Sequence, residues 1–505
     1  MKQFLLLLFF SCALSASDKP NIIMFLVDDM GWQDTSVPFW KEKTKFNEIY
    51  HTPQMEKLAS QGMKFTSAYA CNVCSPTRVS LMTGLNAVRH RVTDWTLSKV
   101  PAGKIGRKGK GPMTPPMWNA NGIAVKPGVP LAVQAKCLPK YLQEAGYRTI
   151  HAGKAHFAAA GTDAANPLNM GFDINIAGHA AGAPGNYLGT RNFAKNPAKP
   201  GSSIWDVPGL ESYHGKDIFL TEAITLESIK AMDDAVKDKK PFFLYMAHYA
   251  IHTPLIADKR FIEKYEKMGL HPTEAKYAAL IEGMDKSLGD LMANVEKHGL
   301  TDNTIILFMS DNGGLSAVAR SGKKHMHNLP LKSGKGSVNE GGIRVPMIVK
   351  WPGITKEASV CDEPVIIEDF FTTILEMAGV ENPQQIGGVI DGVSFVPLLK
   401  GNNAGFKKRP LIFHYPNNWG PKGPGINFIS AMRKGKWKLI YYHDNKRNKN
   451  KFELYDLEAD IKEENDLFSK FPEVVAELKK ELKKQFSEMN GQMPLIDGKE
   501  VQFPK

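Results

Sequence analysis

Two short runs set the limits of what this chain can become. Asn21-Ile22-Ile23-Met24-Phe25-Leu26-Val27 and Asn303-Thr304-Ile305-Ile306-Leu307-Phe308-Met309 are almost wholly apolar, and neither alternates with polar residues. A strand with that pattern must be buried on both faces, which is the position of a central strand in a parallel sheet covered by helices. Each run then stops in polar residues, Asp28-Asp29-Met30-Gly31 after the first and Ser310-Asp311-Asn312-Gly313-Gly314 after the second. Adjacent carboxylates leaving a buried strand repel one another and are costly to desolvate unless a cation compensates. Hard oxygen donors of this kind suit Ca²⁺, or else Mg²⁺. Sites in open α/β sheets gather outside the carboxyl ends of the strands, so two acidic ends about 280 residues apart can meet there.

The rest of the chain supplies the layers such a sheet needs. Further strands are expected over 65–69, 241–247 and 345–350, a strand entering a loop over 147–156, and helices over 55–62, 137–145, 217–236, 275–299 and 368–379. Residues 99–130, rich in Gly, Pro and Lys, read as a surface excursion, and 158–208 as loop. Past a linker at 387–405 the texture changes to short strands over 410–414, 428–432, 437–442 and 452–457, then a Lys/Glu-rich amphipathic helix over 472–489. The expected fold is α/β: a large, mostly parallel sheet flanked by helices over 18–400, with a smaller C-terminal α+β subdomain containing an antiparallel sheet over 405–505.

The N-terminus narrows the compartment. Met1-Lys2-Gln3, an apolar stretch over 4–10 and Ser11-Cys12-Ala13-Leu14-Ser15-Ala16 make a secretory signal over 1–16, which predicts a periplasmic or secreted protein, or a surface lipoprotein if Cys12 is lipidated. No later stretch approaches the roughly 20 apolar residues of a spanning helix. A net charge of +12 over 505 residues favours anionic partners. The lysines follow no nucleic-acid module, so no nucleic-acid partner is expected; sulfated polysaccharide is the other candidate, and a solvated basic surface accounts for most of the lysines. Besides Cys12 there are Cys71, Cys74, Cys137 and Cys361, too few for a disulfide framework. Cys71-Asn72-Val73-Cys74 has C-x-x-C spacing, but a zinc site would need two more ligands.

The chemistry is concentrated in Cys74-Ser75-Pro76-Thr77-Arg78-Val79-Ser80-Leu81-Met82-Thr83-Gly84. Pro76 reads as a first helical residue, which sets Cys74 at a helix N-terminus, where free N–H groups and the dipole favour anions. Cys-x-Pro-Thr-Arg resembles the signature of the type I sulfatases of the alkaline phosphatase-like superfamily. In their order there follow Gly153-Lys154-Ala155-His156, then His248-Tyr249-Ala250-Ile251-His252-Thr253-Pro254, and Gly334-Lys335-Gly336 with Glu340-Gly341-Gly342-Ile343-Arg344-Val345-Pro346.

The resemblance implies hydrolysis of sulfate monoesters, with Cys74 converted to formylglycine by a maturation enzyme. It implies a divalent cation, Ca²⁺ or Mg²⁺, on Asp28, Asp29, the Cys74-derived group, Asp311 and Asn312. Arg78, Lys154 and Lys335 would bind the sulfate, His252 would protonate the leaving group, and His156 would take a proton from the hydrated aldehyde. His248 and Arg344 would be structural. A sulfated glycan attacked from its end is the expected substrate, with His90, Asp94, Trp95 and His414 as candidate sugar contacts and His179, His214 and His327 as further ones. A phosphonate or phosphodiester hydrolase, and a noncatalytic glycan-binding protein with unmodified Cys74, are the alternatives.

Overall fold

The computed structural model describes residues 19–104, 113–318, 323–403, 405–444 and 451–503; the expected signal, with Cys12, lies outside them. The main strands are β1 (Asn21–Val27), β2 (Met63–Tyr69), β3 (Arg148–Gly153), β4 (Ile174–Ile176), β5 (Phe242–Ala247), β6 (Thr304–Ser310), β7 (Arg344–Lys350), β8 (Ser359–Cys361) and β9 (Val365–Ile366). They form one nine-stranded sheet in the order β8-β2-β7-β6-β1-β5-β3-β4, with β9 also beside β2. The two apolar runs are neighbours at its centre, parallel and in register, Ile23 facing Ile306. Only β7 runs against the rest, antiparallel to both β6 and β2. The residues that precede β7 therefore share an end of the sheet with the residues that follow β1, β3, β5 and β6.

The side chains of β1 divide between two helical layers. Ile22, Met24 and Leu26 join a core containing Val79, Leu81 and Met82 of α1 (Cys74–Thr83) and Phe370, Phe371 and Ile374 of α4 (Asp369–Met377). Ile23, Phe25 and Val27 join another containing Leu220, Ala223 and Ile224 of α2 (Leu220–Lys237) and Leu280, Ile281 and Met284 of α3 (Pro272–Lys297). Each such side chain contributes about 1.5–3 kcal/mol on burial, which is why an uninterrupted apolar run occupies this position.

The antiparallel strands β10 (Leu411–Tyr415), β11 (Ile429–Lys434), β12 (Trp437–Tyr442) and β13 (Phe452–Asp456) form a second sheet in sequence order. One face, with Met432, Leu439 and Tyr441, packs on Leu478, Leu482 and Phe486 of α5 (Pro472–Glu488). The other, with Phe413, Tyr415 and Ile440, merges with the first core. Buried charges stitch this seam. Lys438 Nζ lies 2.8 Å from both Glu340 Oε1 and Glu463 Oε1. Glu340 Oε2 accepts from Tyr69 at 2.7 Å and Arg344 at 3.2 Å, and Arg433 donates to the Tyr69 hydroxyl.

Three expectations need correcting. The strand over 345–350 is not the last of its sheet: β8 and β9 follow it, each too short to show a period. β4 lies within a segment read as loop. Residues 99–130 are not simply a surface excursion, since Trp118, Ala120 and Ile123 are buried in the core, and Met113–Thr114 pairs with Leu495–Ile496 near the C-terminus. All four described cysteines are free and buried, Cys71 and Cys74 included. No helix among the described residues is long and apolar enough to cross a membrane.

Candidate active site

Helix α1 starts at Cys74 itself, with Val73 as its cap residue, so Pro76 sits in the first turn rather than opening the helix. Gly84 ends it in the left-handed region, φ 70°, a conformation that suits a residue without a Cβ. The ten residues are buried throughout. Burial pushes the Cys74 thiol up to about 12 although Lys154 and Lys335 oppose it. Desolvation thus outweighs the two ammoniums, and the thiol is held in its neutral form. Unmodified Cys74 is a poor nucleophile here.

The acidic ends of β1 and β6 meet. Asp311 Oδ1 accepts from Asp29 N at 3.2 Å, and Asn312 Nδ2 donates to Asp29 Oδ1 at 2.8 Å. Three cations answer the three carboxylates. Lys154, just past β3, donates to Asp28 Oδ2 at 2.7 Å. Arg78 grips Asp311 Oδ2 through Nε at 3.0 Å and Nη2 at 2.8 Å, and its Nη1 reaches Lys154 O. Lys335, brought to this end by the reversed β7, donates to Asp29 Oδ1 at 2.6 Å and to Cys74 Sγ at 3.2 Å. Its pairing with Asp29 holds the Lys335 ammonium above its usual range and the Asp29 carboxyl below its own. Asp28 differs, because burial pushes its carboxyl up to about 8 despite Lys154.

The same residues form a candidate cation site. One ligand atom each from Asp28, Asp29, Cys74 and His252 lies within 4.8 Å of the others, and Asn312 Oδ1 is buried without a hydrogen-bond partner. A cation would offset the burial that raises Asp28 and would take up that amide oxygen. Two carboxylates and an amide oxygen are hard donors, the His252 nitrogen is intermediate, and the soft donor, the thiol, becomes an oxygen if Cys74 is oxidised to an aldehyde hydrate. The donor set therefore fits Ca²⁺ or Mg²⁺. Asp311, expected among the ligands, has Arg78 on one oxygen and the Asp29 N–H on the other.

Both candidate histidines of the reaction border the same cavity. His156 Nε2 bonds the Thr96 carbonyl at 2.8 Å, its Nδ1 is buried without a partner, and burial holds its pKa well below the usual value. It is a neutral ring with a free lone pair, the form a base requires. His252 Nδ1 lies 2.9 Å from Thr253 O and its Nε2 3.7 Å from Asp29 Oδ2, and burial lowers its pKa to about 3. Tyr187 fixes this corner, donating to Tyr249 O at 2.6 Å and His252 O at 2.9 Å.

Above Cys74, Asp29 and Lys335 opens a cavity of about 370 Å³. Its walls include Trp95, Trp205 and Trp419 with His156, His252 and Leu315. Trp419 comes from the β10–β11 connection of the C-terminal subdomain and lies on Gly336, where a Cβ would overlap its ring. Arg78 and Lys154 are wholly buried beneath the floor and do not line the cavity.

The expected sugar contacts separate. Trp95 lines the cavity, and Asp94 stands behind it, Oδ1 accepting from Trp95 N at 2.9 Å and Tyr415 at 3.0 Å. His90 is not a cavity residue: it is buried behind α1, 3.0 Å from Ser80 Oγ. His414 is not one either, since it is bonded to Ser430 and Gln492 and packed on Phe486. His179, His214 and His327 are also absent from its lining. His248 is structural, bonded to Ser287 at 2.8 Å, as is Arg344 on Thr66 and Ser67. The sequence reading missed Trp205, Trp419 and Tyr187. The two tryptophans carried a signal, each being a large aromatic in a Gly-, Asn- or Ser-rich loop with no periodic core to join.

Comparison with known proteins gives this geometry a lineage. Residues 20–380 match the sulfatase family model, and 334–492 match the model of the N-sulphoglucosamine sulphohydrolase C-terminal region. A sulfatase of Formosa agariphila is 30% identical, the match covering 90% of this chain and 86% of that protein. Human N-acetylgalactosamine-6-sulfatase is 30% identical over 80% of this chain and 69% of its own. Among solved structures, Ps i-CgsB superposes with a TM-score of 0.71 at 27% identity over 93% of each chain, and it has also been seen in complex with a neocarrahexaose. A family model spanning most of its length, and a relative at 30% identity along nearly the whole chain, show that the chain belongs to the sulfatase family and is a sulfatase enzyme.

Proposed function

We propose that this sulfatase removes sulfate from the ends of sulfated glycans, acting through Cys74 oxidised to formylglycine by a maturation enzyme and through Ca²⁺, or Mg²⁺, held by Asp28, Asp29, Asn312, Asp311 and the modified Cys74. The observation that carries this reading is Lys335 Nζ, shared between Asp29 Oδ1 at 2.6 Å and Cys74 Sγ at 3.2 Å on the cavity floor. A relative that acts on N-acetylgalactosamine 6-sulfate by its name, and a structural neighbour in complex with a carrageenan oligosaccharide, support a sugar substrate. So do the three tryptophans, whose faces match the C–H faces of a pyranose ring.

When bound, the cation supplies a Lewis acid for the sulfate and acidifies the attacking hydroxyl. Hydrated formylglycine supplies that hydroxyl. Lys335, the one cation of the three at the cavity surface, meets the sulfate and the bridging oxygen. Arg78 and Lys154 act from below, holding Asp311 and Asp28 in place and adding positive field to the floor. His252 Nε2 faces the leaving oxygen; the arriving anion favours its protonated form, and from there it donates the proton the leaving alkoxide needs. His156 Nδ1 accepts a proton from the second hydroxyl of the hydrate. The apolar and aromatic walls exclude water from the floor. The first sixteen residues support export, and the change of texture near 400–405 supports a boundary between catalytic domain and C-terminal subdomain.

Sulfate release from defined sulfated mono- and disaccharides is the test, run beside a phosphodiester and a phosphonate ester. Release from a sugar sulfate is expected, with loss of activity in Cys74→Ala and a peptide about 18 Da lighter than the thiol form at Cys74. Faster turnover of the phosphorus esters, or an unmodified Cys74 in protein matured with its modifying enzyme, overturns the reading.

A further inference from the structure

A second cleft, of about 490 Å³, lies where the β1–β2 connection, β2, β8 and the C-terminal subdomain meet. It shares no lining residue with the catalytic cavity. Its walls combine the aromatic rings of Trp32, Phe39 and Trp40 with the side chains of Lys41, Lys64 and Lys407. The charges there are unequally answered. Arg344 and Arg433, at the back, are tied into the Glu340–Tyr69 network, and Lys407 pairs with Asp362 at 3.1 Å. Lys64 is half-buried, donates only to the Pro38 carbonyl, and among the described residues has no carboxylate within ion-pair distance. Burial lowers its pKa with no opposing charge, which marks an ammonium lacking an anion. Lys41 reaches only Glu42, at 3.9 Å, and both are exposed. The indole N–H of Trp32, in the same wall, is buried without an acceptor.

We propose that this cleft binds a sulfated stretch of polysaccharide remote from the unit being desulfated, with Lys41 and Lys64 on its sulfates and Trp40 against a sugar face. The assignment rests on the sulfated-glycan reading for its choice of ligand and on the cleft alone for its chemistry. A half-buried ammonium beside aromatic faces fits an anionic group carried on an apolar-faced ring, which is a sugar sulfate. A flexible phosphate backbone would need a longer basic track than two lysines.

The test is calorimetric titration of the full-length Cys74→Ala protein, which turns nothing over, with a sulfated carrageenan hexasaccharide and with the same oligosaccharide after chemical desulfation. Two binding events per chain are expected for the sulfated form. Lys41→Gln/Lys64→Gln should remove one of them or weaken it about tenfold, and Trp40→Ala should weaken it with the charges intact. The exposed pair Lys41→Gln and Trp40→Ala carries the test if the Lys64 variant does not fold. A single event abolished only by Trp419→Ala in the catalytic cavity overturns the proposal. So does equal binding of the desulfated form, or tighter binding of a twelve-nucleotide RNA at this cleft. Sulfate release from monosaccharide sulfates can fail while this binding persists, so the two readings fall separately.

Discussion

Two groups of buried charges, one at the seam with the C-terminal sheet and one under the cavity, are built to different purposes. At the seam with the C-terminal sheet, Lys438, Glu340, Glu463, Arg344 and Arg433 close on one another and on Tyr69, each carboxylate meeting a cation. On the catalytic floor the charges balance as evenly, Asp28, Asp29 and Asp311 against Lys154, Lys335 and Arg78, yet acceptors are left over in Asn312 Oδ1 and His156 Nδ1. Only the second group opens on the cavity above Cys74; the first shows just the backs of Arg344 and Arg433 to the other cleft. A closed network holds two parts of a chain together, and an open one stays ready for a ligand that completes it.

The sharpest way to break that contrast is to remove the central cation of each group. Lys438→Met strands two buried carboxylates and should cost about 3–5 kcal/mol of stability, read by denaturant unfolding, with turnover per folded molecule unchanged. Lys335→Ala should do the reverse, cutting kcat by about 10²–10³ with a much smaller loss of stability. Equal stability losses at the two positions would show that the floor is as closed as the seam. Metal comes next. Calcium at about one hundred times its dissociation constant should stabilise the chelator-stripped protein by about 2.7 kcal/mol, read as a rise in melting temperature, and Asn312→Leu should diminish the rise. A flat response would mean that the leftover acceptors await no ion.

The smallest effect concerns a buried carboxylate in neither group. Glu368 accepts from Asn86 at 2.7 Å, has no cation within ion-pair distance among the described residues, and is pushed up to about 8 by burial, with Asp369 adding to the rise. Its folded pKa lies above its unfolded one, so the folded state holds the extra proton between about pH 4.5 and 8, and stability falls as pH rises through that window. The expected slope is about 1.4 kcal/mol per pH unit between pH 6 and 7, and Glu368→Gln should flatten it when the two unfolding series are compared.

The central strands were legible because each buried face obliges every residue to be apolar, and their acidic ends because carboxylates in such a place demand a reason. The motif residues Cys74, Lys154, His252 and Lys335 could be named because short local patterns carried them. Which of them touch the cavity was not legible. Arg78 and Lys154 sink below the floor because their partners Asp311 and Asp28 are themselves wholly buried, a fact of packing with no local sequence mark. His90 and His414 misled because a histidine bonded to a serine inside a core reads the same in sequence as one facing a ligand. β8 and β9 were too short for periodicity, and Trp419 reaches the site only through the docking of one sheet on another.

That last contact carries an implication for how such a molecule can be altered. Trp419 reaches the lysine loop from a region remote in sequence from the charged floor, resting on Gly336 beside Lys335. One wall of the chamber and its charged floor are thereby written in separate passages of the polypeptide. Rewriting the loop around position 419 would change which guests are admitted while leaving the machinery that cleaves them untouched, whereas trimming the tail would strip one side from the reaction chamber.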